Sequence, residues 1–400
     1  MKLRFISLFI ATAAILSACC GVFYAQNSEK AVINSETEAK TNTETHPKKF
    51  SPSLDTAKKS LRLCSLANYP VSLSAALEND GFEDVEYFQY ENSGKYDNKA
   101  GLVLCRKESF LLAIIRGTKD EEWYSNFYVG EGVEHAGFSK ATDLVLENIE
   151  SYTNRHGLSR KETEVFVTGH SRGAAVGNLT AARLIDGQGF KNVTAYTFAC
   201  PNTTMVNTTA EDKYQSIVNI INPQDFICYI PLPQWGYSRY GVTLELPDYD
   251  TTENFEELYA EMEKAYTADN CKKLRDFPNK GKDVEDIIDY LAFLAPTPAD
   301  YYAKQISVGG LNLTLYDYMM KLAAVMSGEN PILHGLFMLS CKSIPEVSAI
   351  TEFVFGSLSG EELKSTDSLD NTAVVANHMH EAYMAWFNVL DDEYLTQRIK

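Results

Sequence analysis

The stretch "EVFVTGHSRGAAVGNLTAARL", residues 164–184, holds a serine in a setting that could make it a nucleophile. "EVFVT" is β-branched and aromatic and suits a buried strand. "AAVGNLTAARL" follows at once, with Ala175, Leu179 and Ala182 at helical spacing. No loop fits between the two. A strand can pass into a helix that abruptly only if the apex residue accepts a strained backbone and its neighbours lack side chains. Gly169 and Gly173 meet that need on either side of Ser171. Gly-x-Ser-x-Gly alone is a weak signal, expected by chance in roughly one chain in ten of this length. Strand, turn and helix together make it a device for presenting one hydroxyl.

Such a serine attacks a carbonyl only with a base to take its proton and an acid to orient the base. After a strand-turn-helix serine these partners follow in the order acid, then histidine. "SIVNIINPQDFICYIPLP", residues 216–233, sets Asp225 just past an apolar strand, where the chemistry of open α/β sheets gathers. Asp248 and Asp250 follow a more polar stretch and fit less well. An Asp after a strand is ordinarily a turn or cap residue; order and position single out Asp225. Three histidines remain downstream: His334, His378 and His380. His334 falls in a helical block where a packed or surface histidine is ordinary. His378 and His380 lie in "ANHMHEAYMAWF", where a terminal segment would return to the sheet. They cannot share the role. Two positions on a helix differ by about 200°, and on an extended segment they stand roughly 6.6 Å apart. His135 and His170 precede the acid and read as structural.

The elements that must position these groups recur along the chain. "GLVLCRK" (101–107), "FLLAIIRGT" (110–118), "VFVTG", "VTAYTFAC" (193–200) and "SIVNIINP" (216–223) are short apolar runs with helices between them. In "SKATDLVLENIESYTNRHG", Leu144, Leu146, Ile149 and Tyr152 fall on or near one stripe. This alternation predicts an α/β fold with a mostly parallel sheet covered on both faces. From residue 251 to about 370 almost no strand signal remains. "NFEELYAEMEKAY" places Phe255, Leu258, Tyr259, Met262 and Tyr266 on one face, and "DVEDIIDYLAFLA" and "LTLYDYMMKLAAVM" behave likewise. Most amphipathic helices form structural layers. The Tyr, Phe and Met content of this insertion suits a cap that offers apolar walls to an acyl chain.

With 45% hydrophobic residues the chain can bury a large core. Its formal charge of −18 argues against nucleic acid and anionic membrane surfaces as partners. No paired CxxC, HExxH, GxGxxG or P-loop occurs, so neither a metal nor another cofactor is expected. Lys2 and Arg4 precede a 14-residue apolar stretch, the length of a signal-peptide core and short for a bilayer span. It closes on "LSAC", Leu16 to Cys19, which resembles the bacterial lipobox; lipidation at Cys19 and an exported, membrane-anchored chain are expected, with plain secretion as the alternative. The polar segment to residue 50 would be a tether reaching roughly 30 Å. The expected division is a signal peptide (1–18), tether (19–50), α/β core (51–250), helical cap (251–370) and a C-terminal core segment (371–400). Cys64, Cys105, Cys200, Cys228, Cys271 and Cys341 permit disulfides, but spacing assigns none.

The chain resembles the class 3 (fungal-type) lipases, Ser-His-Asp esterases of the α/β-hydrolase fold. "AIIRGT" with Glu122-Trp123, "EHAGF" (134–138), "VTGHSRGAAVGNLTA" and "NPQDFICYIPLP" carry the likeness, over roughly residues 100–240 and the histidine segment. Two departures stand out: the long helical insertion, and Arg172 where Leu is common in fungal members. The resemblance implies acyl transfer to water, with Ser171 as nucleophile in an elbow with Gly169, His170 and Gly173, and Asp225 as the acid. The backbone N–H after the nucleophile, that of Arg172, is one oxyanion donor; Thr118 is implied as the other. "HMHEAYM" resembles the His-x-x-Glu-x-Tyr segment of plant lipases cutting at sn-1, which selects His378. The fungal spacing of Tyr383 would select His380, and Glu381 favours His378 as the base. The expected substrate is an acylglycerol-type ester. Other substrates on the same triad are small esters, thioesters, phospholipids or peptides, and a non-catalytic surface lipoprotein is the remaining alternative.

Overall fold

The β-branched and aromatic runs form strands that lie side by side in the order in which they occur. The structure, a computed structural model, describes residues 52–89, 100–119, 122–187, 189–206, 212–268, 282–308, 311–327 and 377–397. The expected signal peptide, Cys19, the tether, Cys271, Cys341, His334, residues 328–370 of the helical block and residues 371–376 of the C-terminal segment lie outside the described residues. Two helices, α1 (Leu54–Leu66) and α2 (Pro70–Asn79), precede the sheet. The strands are β1 (Glu83–Phe88), β2 (Leu102–Lys107), β3 (Phe110–Ile115), β4 (Glu164–His170), β5 (Asn192–Phe198), β6 (Ile217–Ile221) and β7 (Val242–Glu245). They form one sheet in the order β1 to β7. β1, β2 and β3 pair antiparallel, and every pair from β3 to β7 is parallel. This is the α/β-hydrolase architecture, a mostly parallel sheet between helices.

Helices cover both faces. α3 (Glu122–Asn126) leads into α4 (Ala136–Arg155), and α4 and α5 (Arg172–Gly187) pack Phe138, Val145, Ile149, Val176 and Leu179 against Leu104, Ala113 and Val167. The buried stripe of α4 differs from the sequence expectation: Ile149 and Tyr152 are in it, but Val145 replaces Leu144 and Leu146, which are half-buried. Each residue advances about 100° around a helix, so centring Val145 turns both neighbours to the flanks. The opposite face carries α1, α6 (Phe255–Ala268) and the C-terminal helices α10 (His380–Val389) and α11 (Asp392–Gln397) over Tyr196, Phe198, Val218 and Ile220. Phe387 on α10 is fully buried, and burying such a side chain stabilises by roughly 1.5–3 kcal/mol.

The helical block thus divides. Phe255 of α6 meets Trp386 of α10 with ring centroids 6.1 Å apart and the rings tilted, so α6 belongs to the layer on the sheet. α7 (Lys282–Leu294), α8 (Pro298–Ala303) and α9 (Leu315–Met326) instead join Trp123, Tyr124, Phe226 and Trp235 in a separate apolar cluster. Between α8 and α9 lies an antiparallel hairpin, β8 (Gln305–Val308) and β9 (Leu311–Thr314). The sequence reading has no strand there, because two four-residue strands are too short to show a period of two beside strongly helical neighbours. Three hydrogen bonds pin this second layer to the core. Tyr301 Oη donates to Phe127 O at 2.9 Å, Gly130 N to Tyr302 Oη at 2.7 Å, and Trp235 Nε1 to Ala295 O at 2.8 Å. Cys64, Cys105, Cys200 and Cys228 are buried free thiols. Among the described residues no helix is long and apolar enough to cross a membrane.

Candidate active site

Ser171 sits where β4 ends and α5 begins, and its φ of 57° is the left-handed conformation that the abrupt turn requires. The flanking glycines are enforced by close approach. A Cβ on Gly169 would stand 2.3 Å from Gly173 O, and one on Gly173 would stand 2.2 Å from Ile115 O. Ser171 N donates to Phe198 O at 3.0 Å, tying the apex to the end of β5. The side chain is only half-buried.

The other groups arrive from the same edge of the sheet. Asp225 follows β6 and caps a short 3₁₀ turn, accepting from Ile227 N at 3.1 Å. It is fully buried. His378 bridges the two: Nδ1 lies 2.7 Å from Asp225 Oδ2 and Nε2 lies 2.9 Å from Ser171 Oγ. Asp225 Oδ2 accepts further from Tyr383 Oη at 3.2 Å and Cys228 Sγ at 3.3 Å. Burial and the Asp225 charge push the Cys228 thiol well above its ordinary pKa, so it stays a neutral donor. A carboxylate with these donors keeps its lone pairs satisfied without water and holds the imidazole in one tautomer.

His380 is elsewhere. It opens α10 and stacks on His170, ring centroids 3.9 Å apart. Burial, helped by His378, pushes it down to about 3. His170 donates from Nε2 to the main-chain oxygen of His378 at 2.7 Å. Burial drives His170 well below its ordinary pKa as well, with His380 and His378 adding to the effect. Asn222 fastens the histidine segment to the end of β6: its Nδ2 donates to Asn377 Oδ1 at 3.0 Å and its N to Tyr383 Oη at 2.9 Å. Asn222 carries no motif that marks it in the sequence. Its one visible signal was a position at the strand end that also bears the acid.

Thr118 and Arg172 stand near the same apex, on a separate polar network. Arg116 pairs with Glu122 at 2.8 Å in a buried ion pair, and Glu122 Oε2 accepts from Lys119 N at 2.6 Å. Burial pushes the Glu122 carboxyl up, opposed by Arg116 and Arg172. Arg172 Nη1 donates to Asn126 Oδ1 at 2.8 Å, and Asn126 Nδ2 donates to Thr118 Oγ1 at 2.9 Å. His135 caps α4 by accepting from Phe138 N at its Nδ1, and its Nε2 meets Asn126 O at 3.1 Å. Asn126 was not singled out in the sequence.

Beside this network runs an apolar cleft with walls that include Phe127, Val129, Leu232, Trp235, Leu291 and Met319. Asn126 belongs to its wall, so the cleft abuts the Thr118 side of the site. Leu291 and Met319 come from α7 and α9. No group of metal-ligating side chains occurs among the described residues.

A hydroxyl, an imidazole and a buried carboxylate in series, at an abrupt strand-to-helix turn, are the parts of a serine hydrolase. Residues 113–235 match the family model for lipase (class 3). The match covers less than half of the chain. It spans β3 through Trp235 and so contains Ser171, Asp225, Thr118 and Arg172. Solved structures similar to the chain include the triacylglyceride lipase of Rhizomucor miehei, 17% identical over 49% of this chain and 80% of that one, with a TM-score of 0.37. A Penicillium cyclopium protein is 18% identical over 50% and 83%, TM-score 0.39. A fungal lipase in an inhibitor complex is 17% identical over 49% and 80%, TM-score 0.40. No curated protein matches the chain. The matched segment ends before α7 and α9.

Proposed function

We propose that the protein hydrolyses acylglycerol-type esters, with Ser171 as nucleophile, His378 as base and Asp225 as the acid that orients it. The observation that carries the reading is His378 spanning Ser171 Oγ and Asp225 Oδ2 at 2.9 and 2.7 Å. Ser171 attacks the ester carbonyl while Nε2 takes its proton, and the imidazolium then returns that proton to the leaving alcohol. Water repeats the cycle on the acyl-enzyme. The backbone N–H of Arg172 and the Thr118 hydroxyl are the donors proposed for the developing oxyanion. The apolar cleft beside Asn126 supports an acyl chain as the part of the substrate recognised. The formal charge of −18 favours neutral acylglycerols over anionic phospholipids.

The sequence also supports export and anchoring through a lipid on Cys19, with residues 20–50 as tether. Labelling with a palmitate analogue should mark the wild type and not Cys19→Ser; label that survives the substitution removes the claim. For the activity, a fluorophosphonate should label wild type and leave Ser171→Ala unlabelled. On p-nitrophenyl esters of rising chain length the wild type should prefer longer chains. Equal labelling of both proteins, or cleavage of peptides and not esters, would overturn the proposal.

A further inference from the structure

We infer that the side chain of Arg172 is a positioning residue: it fixes which end of the Asn126 amide faces Thr118, and so turns the Thr118 hydroxyl proton away from Asn126 and toward the reacting carbonyl. The inference rests on the ester-hydrolase reading and adds to it a side chain that the nucleophile turn does not itself require.

An asparagine amide has an accepting end and a donating end, and a threonine hydroxyl can meet either. Were Asn126 Oδ1 turned to Thr118, the hydroxyl would donate its single proton inward, and it could not donate to an oxyanion. With Nδ2 turned to Thr118, at 2.9 Å, the hydroxyl oxygen accepts and its proton points away from Asn126. The two ends of an amide differ little in shape, so a partner has to choose between them. Arg172 chooses. A guanidinium carries donors only, and Arg172 Nη1 lies 2.8 Å from Oδ1. Flipping the amide would set N–H against N–H beside Arg172, which is 1% exposed, so solvent cannot relieve the clash of donors.

The main chain of Asn126 is held as well. His135 Nδ1 accepts from Phe138 N, so its Nε2 carries the proton and donates to Asn126 O at 3.1 Å. Burial first, then the Arg172 charge, push His135 down to about 3, which keeps that pattern of one acceptor and one donor. Glu122 supplies the opposite charge that lets a cation persist here, although burial still lowers Arg172 to about 10. A leucine in place of Arg172 would keep the backbone N–H and fill space without the desolvation of a buried charge. It would have no means of orienting the amide.

The test compares full-length wild type, Arg172→Leu, Thr118→Val and the double variant on a soluble p-nitrophenyl ester, with active sites counted by fluorophosphonate. Arg172→Leu should lower kcat per active site about 10- to 100-fold with KM within about 2-fold, and Thr118→Val about 100-fold or more. The double variant should be no slower than Thr118→Val alone, because both act through one hydroxyl. The pH midpoint of kcat/KM should not move. If Arg172→Leu gives little folded protein, Asn126→Ala provides the same reading with the buried charges in place: kcat down by the same order, and a double variant with Thr118→Val no slower than Thr118→Val alone. Losses that multiply in the double variant, or an unchanged kcat in Arg172→Leu or Asn126→Ala, would overturn the inference alone. A wild type that neither labels nor hydrolyses would remove the hydrolase reading, and this one with it.

Discussion

The imidazole of His170 donates to the main-chain oxygen of His378 at 2.7 Å, so the residue before Ser171 holds the backbone of the residue facing Ser171. Ser171 and His378 are thereby tied from both sides of one contact 207 positions apart. His170→Ala should cost about 10-fold in kcat, since a shift of the order of 1 Å in a catalytic group is enough to do so. His170→Gln, which keeps a donor of similar reach, should recover part of it. Equal kcat in His170→Ala and wild type would refute the coupling.

His378 and His380 should separate cleanly. His378→Ala should lose on the order of four or more decades of turnover. His380→Ala removes a ring stacked on His170 and should cost less than about 10-fold. Turnover of the two variants on a soluble ester decides, and a collapse confined to His380→Ala would reverse the assignment.

Buried neutral histidines make the fold acid-sensitive. His135 and His380 are pushed down to about 3, and His170 is also well below its ordinary value. In the unfolded chain each titrates near 6.5. The stability is therefore fully present above about pH 6.5 and is lost as pH falls toward the folded values, because the unfolded state binds the protons. Each such group contributes a slope on the order of 1 kcal/mol per pH unit. Urea midpoints at pH 8, 6.5 and 5 should fall only below 6.5; a midpoint flat down to pH 5 would contradict this.

The nucleophile turn should tolerate no Cβ at Gly173. A methyl group there would stand 2.2 Å from Ile115 O and 2.8 Å from Arg116 O, so main chain must move to admit it. Gly173→Ala should lose about 3 kcal/mol, seen as a fall in Tm of several degrees or more. A Tm within a degree of wild type would show that the approach can relax.

Chain-length preference should follow the second helical layer and not α6. Leu291→Trp or Met319→Trp, both in the cleft wall, should lower kcat/KM for long esters about 10-fold or more while sparing short ones. Substitution of Leu258 on α6, in the layer against α10, should leave the ratio unchanged. A ratio unmoved by the tryptophans would show that the acyl chain lies elsewhere.

Local physics made much of this protein legible from its residues. The pair of glycines around Ser171 announces a turn that only glycines can complete, and β-branched runs separated by helices announce a parallel sheet, since both signals span a few neighbouring residues. Asp225 could be placed because a strand carries its end to the same edge as Ser171. What joins distant segments was decided only by the tertiary structure. His378 and His380 share a neighbourhood in sequence, and only the docking of Asn377 and Tyr383 on Asn222 aims one imidazole between Ser171 and Asp225 and packs the other on His170. The amphipathic helices 255–268 and 282–294 look alike in pattern, yet one covers the sheet and the other walls the cleft, because periodicity names a buried face and not what buries it. Asn126 carries no mark in the sequence at all; its place between Arg172 and Thr118 exists only where three segments meet.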